Sequence, residues 1–155
     1  MNILLLVKFA IAFSILRMSD LEIYIDGASK GNPGHSGVGI VIYREGLRIK
    51  NISNYIGTAT NNVAEYTALI YALEEALLLK AKNLKINTDS QLLARQLNKI
   101  YKVKHAGIIN LYNRVEHLLK GFEKVLIKHI PREENSLADK LATEAIKSSL
   151  AKSLI

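Results

Sequence analysis

The spacing of apolar residues changes character along the chain. Leu21–Asp26 alternates, with Leu21, Ile23 and Ile25 on one side and Glu22, Tyr24 and Asp26 on the other, which predicts a strand with one buried face. Val38–Tyr43 and Arg48–Ile56 read as two further strands, with Glu45-Gly46 as the tight hairpin turn between them. Val63–Lys82 is rich in Ala, Leu and Glu and free of Gly and Pro, so it predicts a long helix, apolar on most sides and laid flat on a sheet. Leu84–Thr88 is a short strand, and Ser90–Lys99 and Ile108–Leu119 are helices, the second ended by Gly121. Glu123–Ile130 is a fifth strand closed by Pro131, and Ser136–Leu150 is a last helix. A meander followed by alternating units predicts an α/β domain. Its five-stranded mixed sheet combines a three-strand antiparallel meander with parallel strands, flanked by helices. No repeat, low-complexity segment or linker divides it.

Residues 1–17 stand apart. Ile3–Leu16 is apolar except for Lys8 and Ser14. It falls short of the roughly 20 residues that span a bilayer, and Leu16-Arg17 is a poor signal-cleavage site. Three readings are open: an unused extension ahead of a start at Met18, a signal or membrane anchor, or an extra packed element. The catalytic domain is expected within residues 18–155.

Net charge is +7, with 49% hydrophobic and 23% charged residues. Removing residues 1–17 takes away Lys8 and Arg17 and no acid, so the net charge falls only by two, to +5. A basic chain favours polyanionic partners, with nucleic acid ahead of a membrane surface because the cations are not gathered on one amphipathic helix. There is no cysteine, which excludes disulfides and thiolate metal sites and fits a cytoplasmic setting.

Four acids stand at element boundaries. Asp26 closes the first strand and enters a glycine-rich stretch, Gly27–Gly39, whose backbone is expected to lie close to something large. Asp89 closes the fourth strand. Glu65 and Asp139 lie near helix starts. Each has an ordinary alternative: Asp26-Gly27 as a turn pair, Glu65 and Asp139 as capping-box partners of Asn62 and Ser136, and Asp89 as a cap for the helix at Ser90. Together they suggest more. Parallel first and fourth strands would bring Asp26 and Asp89 to one sheet edge, and helix starts returning there would add Glu65 and Asp139. Four crowded carboxylates raise each other's pKa values unless cations neutralise them. An all-oxygen donor set suits Mg²⁺ or Mn²⁺. Two such ions about 4 Å apart support in-line displacement at phosphorus without a side-chain nucleophile.

Four stretches carry a resemblance: Ile25-Asp26-Gly27-Ala28-Ser29-Lys30-Gly31-Asn32-Pro33-Gly34, Thr60-Asn61-Asn62-Val63-Ala64-Glu65, Thr88-Asp89-Ser90-Gln91 and Asn135-Ser136-Leu137-Ala138-Asp139. In this order and spacing the sequence is similar to type 1 ribonucleases H over nearly all of Leu21–Ser148. The resemblance implies a ribonuclease H-like fold and cleavage of the RNA strand of RNA–DNA hybrids, leaving 5′-phosphate and 3′-hydroxyl ends. It implies that Asp26, Glu65, Asp89 and Asp139 bind the metal ions, with Asp26 bridging them. It places Asn32, Asn61, Asn62 and Gln91 against the minor groove and sugar-phosphate backbone, with Asn135 and the backbone around Ser29 and Gly31 among the substrate contacts.

Two features depart from the family pattern. Many relatives carry a histidine in the loop before the last acid, whereas here the loop is Pro131-Arg132-Glu133-Glu134-Asn135. Arg132 is the nearest substitute, able to hold a phosphate but not to act as a base. His129 is expected in the preceding strand. In place of the basic protrusion of some relatives stand Lys99, Lys102, Lys104 and His105. With no separate hybrid-binding domain read ahead of the catalytic one, affinity is expected to be modest and salt-dependent. His35, His105 and His117 show no metal spacing, and the glycines precede a strand, which excludes a dinucleotide fingerprint. Rival readings are a nuclease that also cuts double-stranded RNA and a non-catalytic hybrid-binding module. A monomer is expected.

Overall fold

The computed structural model describes residues 2–18 and 20–155. Eleven elements follow one another: α1 (Ile3–Met18), β1 (Asp20–Gly31), β2 (Gly34–Arg44), β3 (Leu47–Ala59), α2 (Asn61–Leu78), β4 (Asn83–Thr88), α3 (Gln91–Leu97), α4 (Ala106–Leu119), β5 (Lys124–His129), a 3₁₀ turn (Arg132–Asn135) and α5 (Ser136–Lys152). The sheet order is β3-β2-β1-β4-β5. β1–β2 and β2–β3 are antiparallel, and β1–β4 and β4–β5 are parallel. The predicted mixed sheet, with its meander first, is the architecture observed. Glu45 and Gly46 both take positive φ (51° and 76°) in the β2–β3 turn, as a two-residue hairpin of this twist requires.

The two sheet faces hold different partners because side chains alternate along each strand. Ile23, Ile25, Val38, Ile40 and Ile42 are buried with Tyr66, Leu69 and Leu73 of α2 in one cluster, which also takes in Ile108 and Val115 of α4. The intervening positions of β2 face α5. A Cβ at Gly39 would lie 2.0 Å from the Ala138 carbonyl oxygen, and one at Gly37 would lie 2.5 Å from that of Ala142. Opposite these glycines α5 presents Ala138, Ala142 and Ala145, all buried. At Gly27 a Cβ would meet the α2 backbone, 2.2 Å from the Ala64 carbonyl carbon. Gly27, Gly37 and Gly39 therefore admit helices, not the large external partner expected from the sequence. Gly31, with φ +105°, and Gly34 form the ends of the β1–β2 turn.

Several boundaries differ from expectation, two of them beside the site. β1 does not end at Asp26. It continues to Gly31, paired with β2 out to Gly31↔Gly34, because β2 remains alongside while only the shorter β4 stops. The parallel β1–β4 pairing ends at Ile25↔Thr88, so Asp26 is the first residue of β1 beyond its neighbour. The second difference is α2, which starts at Asn61, with the Thr60 hydroxyl accepting from the Val63 amide at 3.3 Å.

α1 is a helix about 24 Å long at the usual rise. Its side chains over residues 2–13 are exposed, Ile3 and Phe9 by 77% and 74%. No helix among the described residues is long and apolar enough to cross a membrane.

The packing of α5 generates a prediction. Gly39→Ala must push α5 off β2, since the obstruction is backbone, and should cost ~1–3 kcal/mol or somewhat more. Urea unfolding monitored by circular dichroism would measure it. An unchanged midpoint would mean that α5 is not seated as described.

Candidate active site

The site forms where β1 outlasts β4. Asp26 follows the last β1–β4 pair on one strand, and Asp89 follows Thr88 at the end of the other. Glu65 comes from the second turn of α2, delivered over Gly27, whose amide donates to Glu65 Oε2 at 3.2 Å. Carboxylate oxygens of Asp26, Glu65 and Asp89 lie within 4.8 Å of one another. Asp139, in the first turn of α5, lines the same cleft but stands outside that triad. Its Oδ1 accepts from the Arg132 guanidinium at 3.4 Å.

None of the ordinary alternatives is how these acids are used. Thr60 caps α2 and Ser90 caps α3 through its own hydroxyl. Asn135 takes the N-cap position of α5 without a side-chain cap bond. Asp26 lies within a strand, not a turn.

Their electrostatics is unfavourable for charge. Asp26 is 5% exposed and Glu65 4%. Burial, then the charges of Asp89 and Asp139, push Asp26 up to about 8. Burial followed by Asp26 holds Glu65 well above the ordinary glutamate range, with the Gly27 amide in partial opposition. Burial also raises Asp89, offset in part by Arg132 and by the Asn135 amide. Close carboxylates of this kind resist ionising together. A divalent cation removes the conflict, and the donor set fits one: every ligand atom in the triad is a carboxylate oxygen, the hard donor preferred by Mg²⁺ and Mn²⁺.

The acids open into a cleft of about 440 Å³, also lined by Gly27, Ala28, Ser29, Lys30, Asn61, Ser90, Arg132, Thr143 and Ile146. Of the expected contact residues, Ser29, Asn61 and Arg132 are therefore at the cleft. The Ser29 hydroxyl is directed at backbone carbonyls, including Ala59 at 2.9 Å and Gly31. Gly31 and Asn32 lie in the β1–β2 turn, where Asn32 Oδ1 accepts from the Asn61 amide at 3.1 Å and so satisfies the first N–H of α2. Asn62 and Gln91 are exposed beside the cleft lining. Asn135 is buried and donates to the Ile25 carbonyl, so its side chain is not offered to a ligand in the cleft. His129 ends β5 with an exposed side chain. Lys30 and Ser90 lie inside the matching stretches without a role assigned to them, and Thr143 and Ile146 lie outside those stretches. Lys30 was legible as the same-face partner of Asp26 at i+4 in a strand, and Thr143 as that of Asp139 at i+4 in a helix.

The family model described as reverse transcriptase-like matches residues 24–145. Ribonuclease HI of Halobacterium salinarum is 40% identical over 124 residues, covering 79% of this chain and 62% of that protein. The crystal structure of RNase H1 from the same archaeon superposes with a TM-score of 0.81 at 39% identity, over 83% of this chain and 98% of that one. The LC11-RNase H1 structure, in complex with RNA/DNA hybrid, gives a TM-score of 0.80 at 39% identity, over 84% and 99%. A bifunctional protein of Mycobacterium tuberculosis is 37% identical over 123 residues, which cover 78% of this chain and 34% of that protein. The chain thus spans about a third of the mycobacterial relative and somewhat under two thirds of the halobacterial one. The chain belongs to the ribonuclease H family, in its type 1 branch.

The raised acids set a pH dependence. An Asp26 that titrates near 8 when folded and near 3.8 when unfolded makes the native state the stronger proton binder between those values, so stability falls as pH rises through that window. In chelator the melting temperature should drop between pH 5 and pH 8. Asp26→Asn should melt higher than wild type at pH 8, by about a few degrees, and Mg²⁺ should restore the wild type. Calorimetric scans at the two pH values test this. A variant less stable than wild type at pH 8 would contradict it.

Proposed function

We propose that this chain is a metal-dependent endoribonuclease that hydrolyses the RNA strand of RNA–DNA hybrids. The reading rests above all on the carboxylate triad of Asp26, Glu65 and Asp89, gathered within 4.8 Å at the floor of an open cleft. It is supported by a relative solved with an RNA/DNA hybrid. Asp26, Glu65, Asp89 and Asp139 would hold two Mg²⁺ or Mn²⁺ ions. Bound there, the pair would supply a water activated for in-line attack at phosphorus and charge stabilisation for the leaving 3′-oxygen, giving 5′-phosphate and 3′-hydroxyl ends.

The chain's own residues prepare this chemistry. Burial around Asp26 and Glu65 excludes bulk water and strengthens every local charge interaction. Gly27 fixes the Glu65 carboxylate by its amide. Lys30 and Arg132 place positive charge on the cleft wall, where a phosphodiester backbone would run. Asn61, exposed at the start of α2, offers a side-chain amide able to donate to and accept from a 2′-hydroxyl without demanding a base. Arg132 contacts Asp139 while exposed on its far side, a position from which it can hold the scissile phosphate or the departing product. A guanidinium does not serve as a base at neutral pH, so its part is to bind and orient.

Two measurements test the reading. End-labelled RNA–DNA hybrid, RNA duplex and single strands are incubated with Mg²⁺, Mn²⁺ or chelator, alongside Asp26→Asn. Hybrid cutting that requires metal and disappears in the variant is expected, whereas binding without cutting would favour a non-catalytic module. The duplex arm reports any activity on double-stranded RNA. Arg132→Ala is expected to lower kcat by about 10-fold or more while hybrid affinity changes little. Unaltered turnover would remove Arg132 from the mechanism.

A further inference from the structure

Asn135 occupies the N-cap position of α5, with φ −113° and ψ 17°. Asparagine there ordinarily accepts from the first helical amides. In this chain the side chain makes no such bond. It turns inward instead, is 1% exposed, and donates through Nδ2 to the Ile25 carbonyl at 2.9 Å, across 110 residues of sequence. That carbonyl belongs to the last pair of the β1–β4 ladder, Ile25↔Thr88. Beyond it the ladder supplies no further donor, and the asparagine amide provides one from outside the sheet. The other end of the same amide, Oδ1, is buried without a hydrogen-bond partner. A side chain present only to fill space would not leave a buried acceptor unpaired, because an apolar group of that size would stabilise the fold more.

The surroundings give this arrangement a purpose. Asp26 directly follows Ile25, and Asp89 directly follows Thr88. Arg132 opens the 3₁₀ turn that Asn135 closes, and Asp139 lies one turn further along α5. A single amide thus joins the elements that carry three of the four acids and the arginine. We infer that Asn135 is a positioning residue, which ties the start of α5 to the end of the β1–β4 ladder and so sets the spacing between the Asp26–Asp89 pair and the Arg132–Asp139 pair. It replaces the substrate contact expected of Asn135 from sequence, since a side chain this buried does not meet a hybrid in the cleft. The inference rests on the proposed metal-dependent function.

The test reads metal binding apart from turnover. Mn²⁺ binding to the substrate-free full chain is measured by titration calorimetry for wild type, Asn135→Ala, Asn135→Ser and Ile42→Val. The last is a core change at the far end of β2 that serves as the stability control. Melting temperatures in chelator are recorded for all four. Asn135→Ala should weaken Mn²⁺ binding about 10-fold or more, as loss of a group that orients metal ligands does. It should also lower kcat on the hybrid while KM moves less than about twofold. Asn135→Ser, which keeps a donor, should fall between wild type and alanine. Ile42→Val should lower the melting temperature and leave Mn²⁺ affinity alone. The inference is overturned if Asn135→Ala melts early yet binds Mn²⁺ like wild type. It is also overturned if neither Asn135 variant unfolds cooperatively, since the amide would then serve folding as a whole. Wild type that binds no Mn²⁺ would instead refute the metal-dependent reading itself, and this inference with it.

Discussion

Mutual repulsion of buried carboxylates is the constraint around which the molecule is arranged. Three acids, from β1, from α2 and from the residue after β4, bring oxygens within 4.8 Å of one another, and two of them are almost wholly removed from water. Isolated buried carboxylates are among the most unfavourable groups a fold can hold, so the surrounding elements must be rigid enough to keep them together. Gly27 lets α2 lie directly on β1, Gly37 and Gly39 let α5 lie directly on β2, and Asn135 fastens α5 to the strand ends. These close approaches leave the acids little freedom to relax apart.

That arrangement also explains a contrast in the chain's charge. The protein is basic overall, at +7, yet it concentrates acids at one sheet edge. A polyanion is drawn to the whole molecule by long-range attraction and meets, at the cleft, acids that protons or bound cations must neutralise. Lys30 and Arg132 line its wall and the triad its floor. In the proposed function, substrate attraction falls to the cations of the wall and metal retention to the triad, with the Arg132–Asp139 contact joining the two.

Much of the fold was legible because its patterns are local. The alternation of Leu21–Asp26, the Gly- and Pro-free run after Asn62 and the Glu45-Gly46 turn each specify their element within a few residues. The mixed sheet, with its meander first and with β1 and β4 bringing Asp26 and Asp89 to one edge, followed from the order of elements. What the sequence misplaced depends on partners distant along the chain. β1 was expected to stop at Asp26 because its apolar alternation stops there, but its pairing with β2 runs on through Ser29 and Gly31 without hydrophobic side chains. The glycines suggested an outside partner because nothing local shows that α5, about a hundred residues later, presents alanines to them. Asn135 looked like a ligand contact for the same reason. Its hydrogen-bond partner, the Ile25 carbonyl, is a backbone group remote in sequence, and no motif spacing records it.

The proposed function requires Asp26, Glu65 and Asp89 to form a cation site and not merely a cluster of neutral acids. Anomalous diffraction from crystals soaked in Mn²⁺ near pH 8 examines it directly. A peak is expected between these three carboxylates, with Asp139 facing it, and its loss is expected in Asp26→Asn. An empty triad, or Mn²⁺ bound only elsewhere on the surface, would contradict it.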